Sequence, residues 1–322
     1  MRAAIALRPL YAQAPPFHAA WLDVAGGHAI HVQQFGTPAG LPAVVLHGGP
    51  GSGSSPLAPR FFDPRQYRVI CVDQRGAGLS RPRGGLEQNT TPDLLADLRS
   101  LRAHLGIERW LVVGGSWGAT LAVAHALDAP EAVAGLLLRG LFLARPGDVD
   151  AFFDGAAHGR PLAWAAYERG AASQGVSLID ALHRSLCAEA RTEAAATALH
   201  WWRWEQSLSH PDAIAGPDPD AAALDAQIVR LRIQSHYLRH RCWLNEPPLL
   251  ARCAALPDVP MLLVHGREDR ICLPAAAVAF HERVPRSHLR WIDGAGHDPT
   301  HPGMIDAMIC ALDSFAERRD FT

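Results

Sequence analysis

Short apolar runs alternate with helical periodicity at both ends of the chain, and the alternation vanishes from its middle. Residues 21–24 and 29–35 flank Gly26-Gly27, a spacing that predicts an antiparallel hairpin. Residues 42–46, 67–72, 111–113 and 133–138 are compact apolar runs of the length expected for buried strands. Between them, residues 92–105 set Leu94, Leu95, Leu98, Leu101 and Leu105 at helical spacing, and the Ala-rich stretch up to Asp128 reads as a second helix. Strands return at residues 260–265 and 289–292, and residues 304–318 read as a closing helix. Strands that alternate with helices imply right-handed crossovers, so the expected class is α/β: a mainly parallel sheet with helices on both faces.

Residues 144–255 break that rhythm. The segment is rich in Ala, Trp, Arg and His, is punctuated by Pro217 and Pro219, and ends at Pro247-Pro248. It predicts a helical cap inserted between two parts of one core, residues 1–143 and 256–322. Residues up to about Pro16 read as a loose leader.

Composition narrows the chemistry. With 322 residues, 48% hydrophobic and 19% charged, the chain can bury a sizeable core, and a formal net charge of −2 gives no electrostatic case for nucleic acid or an anionic membrane. All 30 basic residues are arginine, which excludes a P-loop lysine, a lysine Schiff base and a lysine general base. The six cysteines are scattered with no C-x-x-C spacing, so neither a disulfide framework nor a zinc site is expected. His236 and His240, like His297 and His301, are four residues apart without a convincing third ligand, and no metal or other cofactor is expected. The apolar start is too short for a signal peptide and is interrupted by Arg8, and no apolar run approaches a membrane span; the expectation is a cytoplasmic protein. Without secretion, the glycosylation pattern Asn89-Thr90-Thr91 carries no weight.

The chemistry centres on Gly114-Gly115-Ser116-Trp117-Gly118, where an apolar run meets a helical pattern. This G-x-S-x-G form fits a strained strand-to-helix turn that exposes the serine hydroxyl. Taken alone, it also fits a plain Gly/Ser turn. The residues around it favour the first reading. His47-Gly48-Gly49-Pro50-Gly51 follows a strand and lacks the phosphate-loop endings, so the Gly49 and Trp117 amides are candidate oxyanion donors. Asp269, preferred to Glu268, lies just past a late strand, and His297 sits in a glycine-flanked loop after the last one. The order Ser116, Asp269, His297 is that of an α/β-hydrolase, with nucleophile, orienting acid and general base in turn.

These motifs, together with Asp73-Gln74-Arg75-Gly76, Asn89-Thr90-Thr91 and Leu138-Arg139-Gly140, closely resemble the proline iminopeptidase (prolyl aminopeptidase) family of α/β-hydrolases from about Trp21 onward. The resemblance implies a helical cap over the active site and release of N-terminal proline from small peptides. In Trp201-Trp202-Arg203-Trp204-Glu205 it makes Glu205 the anchor for the substrate's amino terminus, with Trp204 in its aromatic surround. Phe142 resembles the aromatic wall of the proline pocket and Arg139 the arginine before it. Cys272 matches a cysteine placed shortly after the acid; it is either a near-site thiol or a small buried hydrophobe.

The departure is at Arg232-Ile233-Gln234-Ser235-His236-Tyr237, where the family reads E-N-H-Y and Gln234 stands in place of a second acidic contact. The alternative this leaves open is an amidase or esterase of the same fold with another small acyl substrate. A non-catalytic binding protein fits less well with a complete Ser, Asp, His set. The sequence does not give the oligomeric state.

Overall fold

A computed structural model describes residues 7–154, 162–209 and 217–321. Its strands are β1 (His18–Val24), β2 (His28–Gly36), β3 (Leu41–Leu46), β4 (Tyr67–Asp73), β5 (Trp110–Gly115), β6 (Val133–Arg139), β7 (Met261–Gly266) and β8 (His288–Ile292). They form one eight-stranded sheet in the order β1-β2-β4-β3-β5-β6-β7-β8. The β1–β2 and β2–β4 pairs are antiparallel and all the others parallel.

Side-chain alternation assigns each strand to two cores. Val44, Leu46, Ile70, Val72, Val112, Leu136 and Leu138 face one side; Ala43, Val69, Cys71, Leu111, Val113 and Leu137 face the other. Both faces are covered, so these strands read as continuous apolar runs. On the first side lie α1 (Thr91–His104), α2 (Trp117–Asp128) and α9 (Pro274–Arg283); on the second lies α10 (Pro302–Arg318), through Met308, Leu312 and Phe315. Helix α1 starts one residue before the predicted position because Thr90 and Asp93 form a reciprocal capping box.

Between β6 and β7 run α3 (Pro146–Asp154), α4 (Leu162–Ser173), α5 (Leu178–Leu186), α6 (Arg191–Ser209), α7 (Ala221–Arg239) and the single turn α8 (Leu249–Arg252). This helical segment is tied to the core at the start of α1. Tyr237 Oη donates to Asn89 Oδ1 at 2.8 Å, and Thr91 Oγ1 donates to the Cys242 carbonyl at 2.6 Å. Asn89 is 1% exposed and its amide donates to the Arg75 and Gly85 carbonyls, so its place in a glycosylation pattern is a coincidence of a structural turn.

The leader is not loose. Residues 7–16 lack regular structure, yet Tyr11 exchanges hydrogen bonds with Arg60 and donates to Asp313, and the Arg8 amide donates to Asp306 at 2.8 Å. Its first six residues lie outside the described ones. Among the described residues, no helix is long and apolar enough to cross a membrane.

Candidate active site

Ser116 stands at the apex between β5 and α2 with φ 57° and ψ −125°, a conformation that costs a non-glycine residue roughly 1–3 kcal/mol. Its neighbours make the turn possible. A Cβ on Gly114 would lie 2.2 Å from the Gly118 carbonyl oxygen, and one on Gly118 would lie 2.0 Å from that of Leu46. Close approach of backbones therefore demands both glycines.

His297 Nδ1 lies 2.7 Å from Asp269 Oδ2, and Asp269 Oδ1 accepts the Ile271 and Cys272 amides at 2.9 and 2.8 Å. Burial opposes charge on Asp269, but the His297 imidazole, its hydrogen bond and the Cys272 amide outweigh it and hold the carboxyl below its ordinary range. Glu268 is exposed, which separates it from its buried neighbour. Gly140, at φ 53°, closes the arrangement from β6: a Cβ there would lie 3.1 Å from His297 Cε1. Arg139 Nη1 donates to the His297 carbonyl at 2.8 Å, so it steadies the histidine loop.

The Ser116 hydroxyl bonds Cys272 Sγ at 3.6 Å, and no hydrogen bond joins it to His297. Burial, with the charge of Asp269, pushes the Cys272 thiol well above its ordinary pKa, which leaves it a neutral partner.

The glycine loop is braced from behind. Gln74 accepts from Trp117 Nε1 at 2.8 Å, donates to the His47 carbonyl at 2.9 Å, and its backbone amide donates to His47 Nε2 at 2.9 Å. An acceptor at Nε2 leaves the proton on Nδ1, which faces the Gly48 carbonyl at 2.9 Å. Burial lowers the His47 pKa in keeping with this neutral tautomer. Gln74 thus couples the two segments that carry the Gly49 and Trp117 amides, neither of which meets an acceptor among the described residues.

Ser116 opens into a cavity lined by Gly49, Phe142, Val149, Phe152, Phe153, Gln234, Leu238, Ile271 and Cys272. Phe142 and Gln234 thus lie at the cavity wall. Trp204 does not line it: the residue is 2% exposed and its indole donates to the Phe152 carbonyl at 2.9 Å, joining α6 to α3. Glu205 meets the wall through Gln234, and its carboxylate is already engaged. Oε1 accepts from Trp201 Nε1 at 3.1 Å and Gln234 Nε2 at 3.3 Å; Arg230 reaches Oε1 at 3.3 Å and Oε2 at 2.5 Å.

Six residues around the site escape the sequence reading. Gln74 lies in Asp73-Gln74-Arg75-Gly76, where nothing in the sequence assigns its side chain a role. His265, at the end of β7, lies 2.8 Å from the Cys272 carbonyl and 3.7 Å from Asp269. The α3 residues Val149, Phe152 and Phe153 supply half the apolar wall, and Arg230 pairs with Glu205 across two helices. The spacing of Arg230 four residues before Gln234 points to their contact, Nη1 donating to Gln234 Oε1 at 2.9 Å, but not to the pair with Glu205.

Residues 42–302 match a family model described as alpha/beta hydrolase fold. The chain is 40% identical to the proline iminopeptidase of Xylella fastidiosa (strain 9a5c), an alignment that covers 96% of this chain and 100% of that one. Among solved structures it is similar to a hydrolase from Pseudomonas aeruginosa PA01, with a TM-score of 0.65, 19% identity, and 92% and 98% of the two chains covered. A Mycobacterium smegmatis proline iminopeptidase superposes with a TM-score of 0.61 at 20% identity, over 94% of this chain and 98% of that one. At these identities the structural likeness shows the fold alone.

Proposed function

The chain belongs to the proline iminopeptidase family of α/β-hydrolases, and from that premise we propose that it is a serine aminopeptidase releasing N-terminal proline from small peptides through Ser116, His297 and Asp269. The observation that carries the site assignment is the 2.7 Å Asp269–His297 pair beside a serine on a strained apex that opens into an apolar cavity.

The reaction follows from the groups present. Ser116 Oγ turns from Cys272 Sγ toward His297, gives up its proton to the ring, and forms a C–O bond to the prolyl carbonyl carbon. Asp269 fixes the His297 tautomer and stabilises the imidazolium. The negative charge on the carbonyl oxygen is met by the Gly49 and Trp117 amides, each lowering the barrier by roughly 3 kcal/mol. His297 returns the proton to the leaving nitrogen as the C–N bond breaks. Water, deprotonated by His297, then cleaves the acyl-enzyme, and free proline leaves with Ser116 restored. Phe142, Phe152 and Ile271 give a pyrrolidine ring an apolar seat.

The test is release of arylamine from proline p-nitroanilide. Steady turnover, lost in Ser116→Ala together with fluorophosphonate labelling, is the expected result. No release from this substrate alongside rapid hydrolysis of p-nitrophenyl acetate would overturn the reading.

A further inference from the structure

We propose that Arg230 occupies the position on Glu205 that a substrate ammonium would take, so that this enzyme tolerates prolyl amides whose nitrogen is acylated and uncharged. The inference rests on the aminopeptidase reading and concerns how that site chooses its substrate.

An anchor for a protonated amine needs a carboxylate with an open lone pair and negative charge to spare. Glu205 has little of either. Arg230 Nη2 and Nη1 lie 2.5 and 3.3 Å from its two oxygens, and Oε1 also accepts from Trp201 and Gln234. The two side chains are 15% and 14% exposed, so water does little to screen the pair. Arg230 is itself held in place: Nε donates to Gln227 at 2.7 Å and Nη1 to Gln234 at 2.9 Å. Gln234, the member of this network that reaches the cavity beside Ser116, is neutral.

The subsite therefore carries one negative and one positive charge that cancel. An incoming ammonium would have to displace a guanidinium held by four hydrogen bonds to three side chains. An acyl cap carries no charge to satisfy, and its carbonyl oxygen can accept from the Gln234 amide or the rim of the Arg230 guanidinium.

The experiment compares kcat/KM for proline p-nitroanilide with that for its N-formyl and N-acetyl derivatives, in wild type and in Arg230→Met. A charge-assisted contact made to one substrate and denied to the other separates them by roughly 10–150-fold. Wild type is expected to prefer the free imino substrate by less than about tenfold, because that contact is already spent. Arg230→Met frees Glu205 and should raise the preference at least about tenfold, through a lower KM for the free substrate. Arg230→Gln serves as the second variant if the first fails to fold, and fluorophosphonate labelling of Ser116 reports intact machinery in each. A wild-type preference above about tenfold overturns the proposal, as does an unchanged preference in a folded Arg230 variant. Turnover of neither free nor blocked prolyl substrate would instead sink the aminopeptidase reading, and this inference with it.

Discussion

Two enclosed carboxylates flank the cavity, and they are partnered in opposite ways. Asp269 has a side chain 1% exposed, and its neighbours are the amides that follow it in the chain, His265, and His297, the group it serves in the mechanism we propose. Glu205 has a side chain 14% exposed, and its partners are side chains from α6 and α7, among them a permanent cation. The first carboxylate is fixed by local backbone and faces a ring that, in the proposed mechanism, changes protonation during turnover. The second spends its charge on structure. Burial and a nitrogen donor as partner are common to both, so neither marks a functional acid; what separates them is that an imidazole can give up its proton and a guanidinium cannot.

The sharpest way to break the comparison is to neutralise each acid. Asp269→Asn should cut kcat on proline p-nitroanilide by about 10⁴-fold, the scale seen when an orienting acid becomes an amide that favours the wrong tautomer. Its melting temperature should change far less than its rate. Glu205→Gln should do the reverse, costing about 3 kcal/mol in urea unfolding because Arg230 is left partly buried without its counter-charge. The double variant Glu205→Gln/Arg230→Gln should recover most of that loss. Strict additivity of the two single changes would mean that the pair contributes nothing to the fold.

The same contrast explains what the sequence reveals. Ser116, Asp269 and His297 each follow an apolar run, and the roles proposed for them depend on local turn chemistry: glycines before and after the serine, amides following the aspartate, glycines before the histidine. Strands buried on both faces are likewise legible, because parallel pairing requires continuous apolar runs. The anchor region offers no such locality. Trp201-Trp202-Arg203-Trp204-Glu205 reads as an aromatic surround for an acid, yet the α6 helix turns Trp204 toward Phe152 and leaves Glu205 to Arg230 on another helix. Which of the arginines meets Glu205 is a matter of tertiary packing between α6 and α7, not of spacing along either. The contacts of the leader are hidden for the same reason: its partners Asp306 and Asp313 lie some three hundred residues away, at separations of 298 and 302–305 positions.

Acid should loosen the helical segment. Burial first, then neighbouring positive charge from Arg239 or other histidines, lowers the pKa of His183 and of His236 from 6.5 to about 4. In the unfolded chain both take up protons near pH 6.5, whereas the folded protein resists until about pH 4. The unfolded state therefore binds more protons between these limits; stability is complete above the upper one and is lost as pH falls toward the lower. After discounting for solvent screening, the loss should be about 2 kcal/mol in urea unfolding, and His183→Asn should flatten the slope. A wild-type profile level from pH 7 to pH 4.5 would place both rings in water instead.

The smallest expected effect falls on Trp204, and it tests whether the wall and the anchor are mechanically joined. Its indole N–H is the bond between α6 and the Phe152 carbonyl, and Phe152 faces the substrate cavity. Trp204→Phe keeps an aromatic ring but removes the donor, which should cost about 1 kcal/mol of stability. Because α3 then loses its register on α6, KM for proline p-nitroanilide should rise about threefold while kcat holds, since nothing that touches the reacting carbonyl has moved. A fall in kcat of the same size would show that the wall positions the acyl group for attack and does not merely seat the ring.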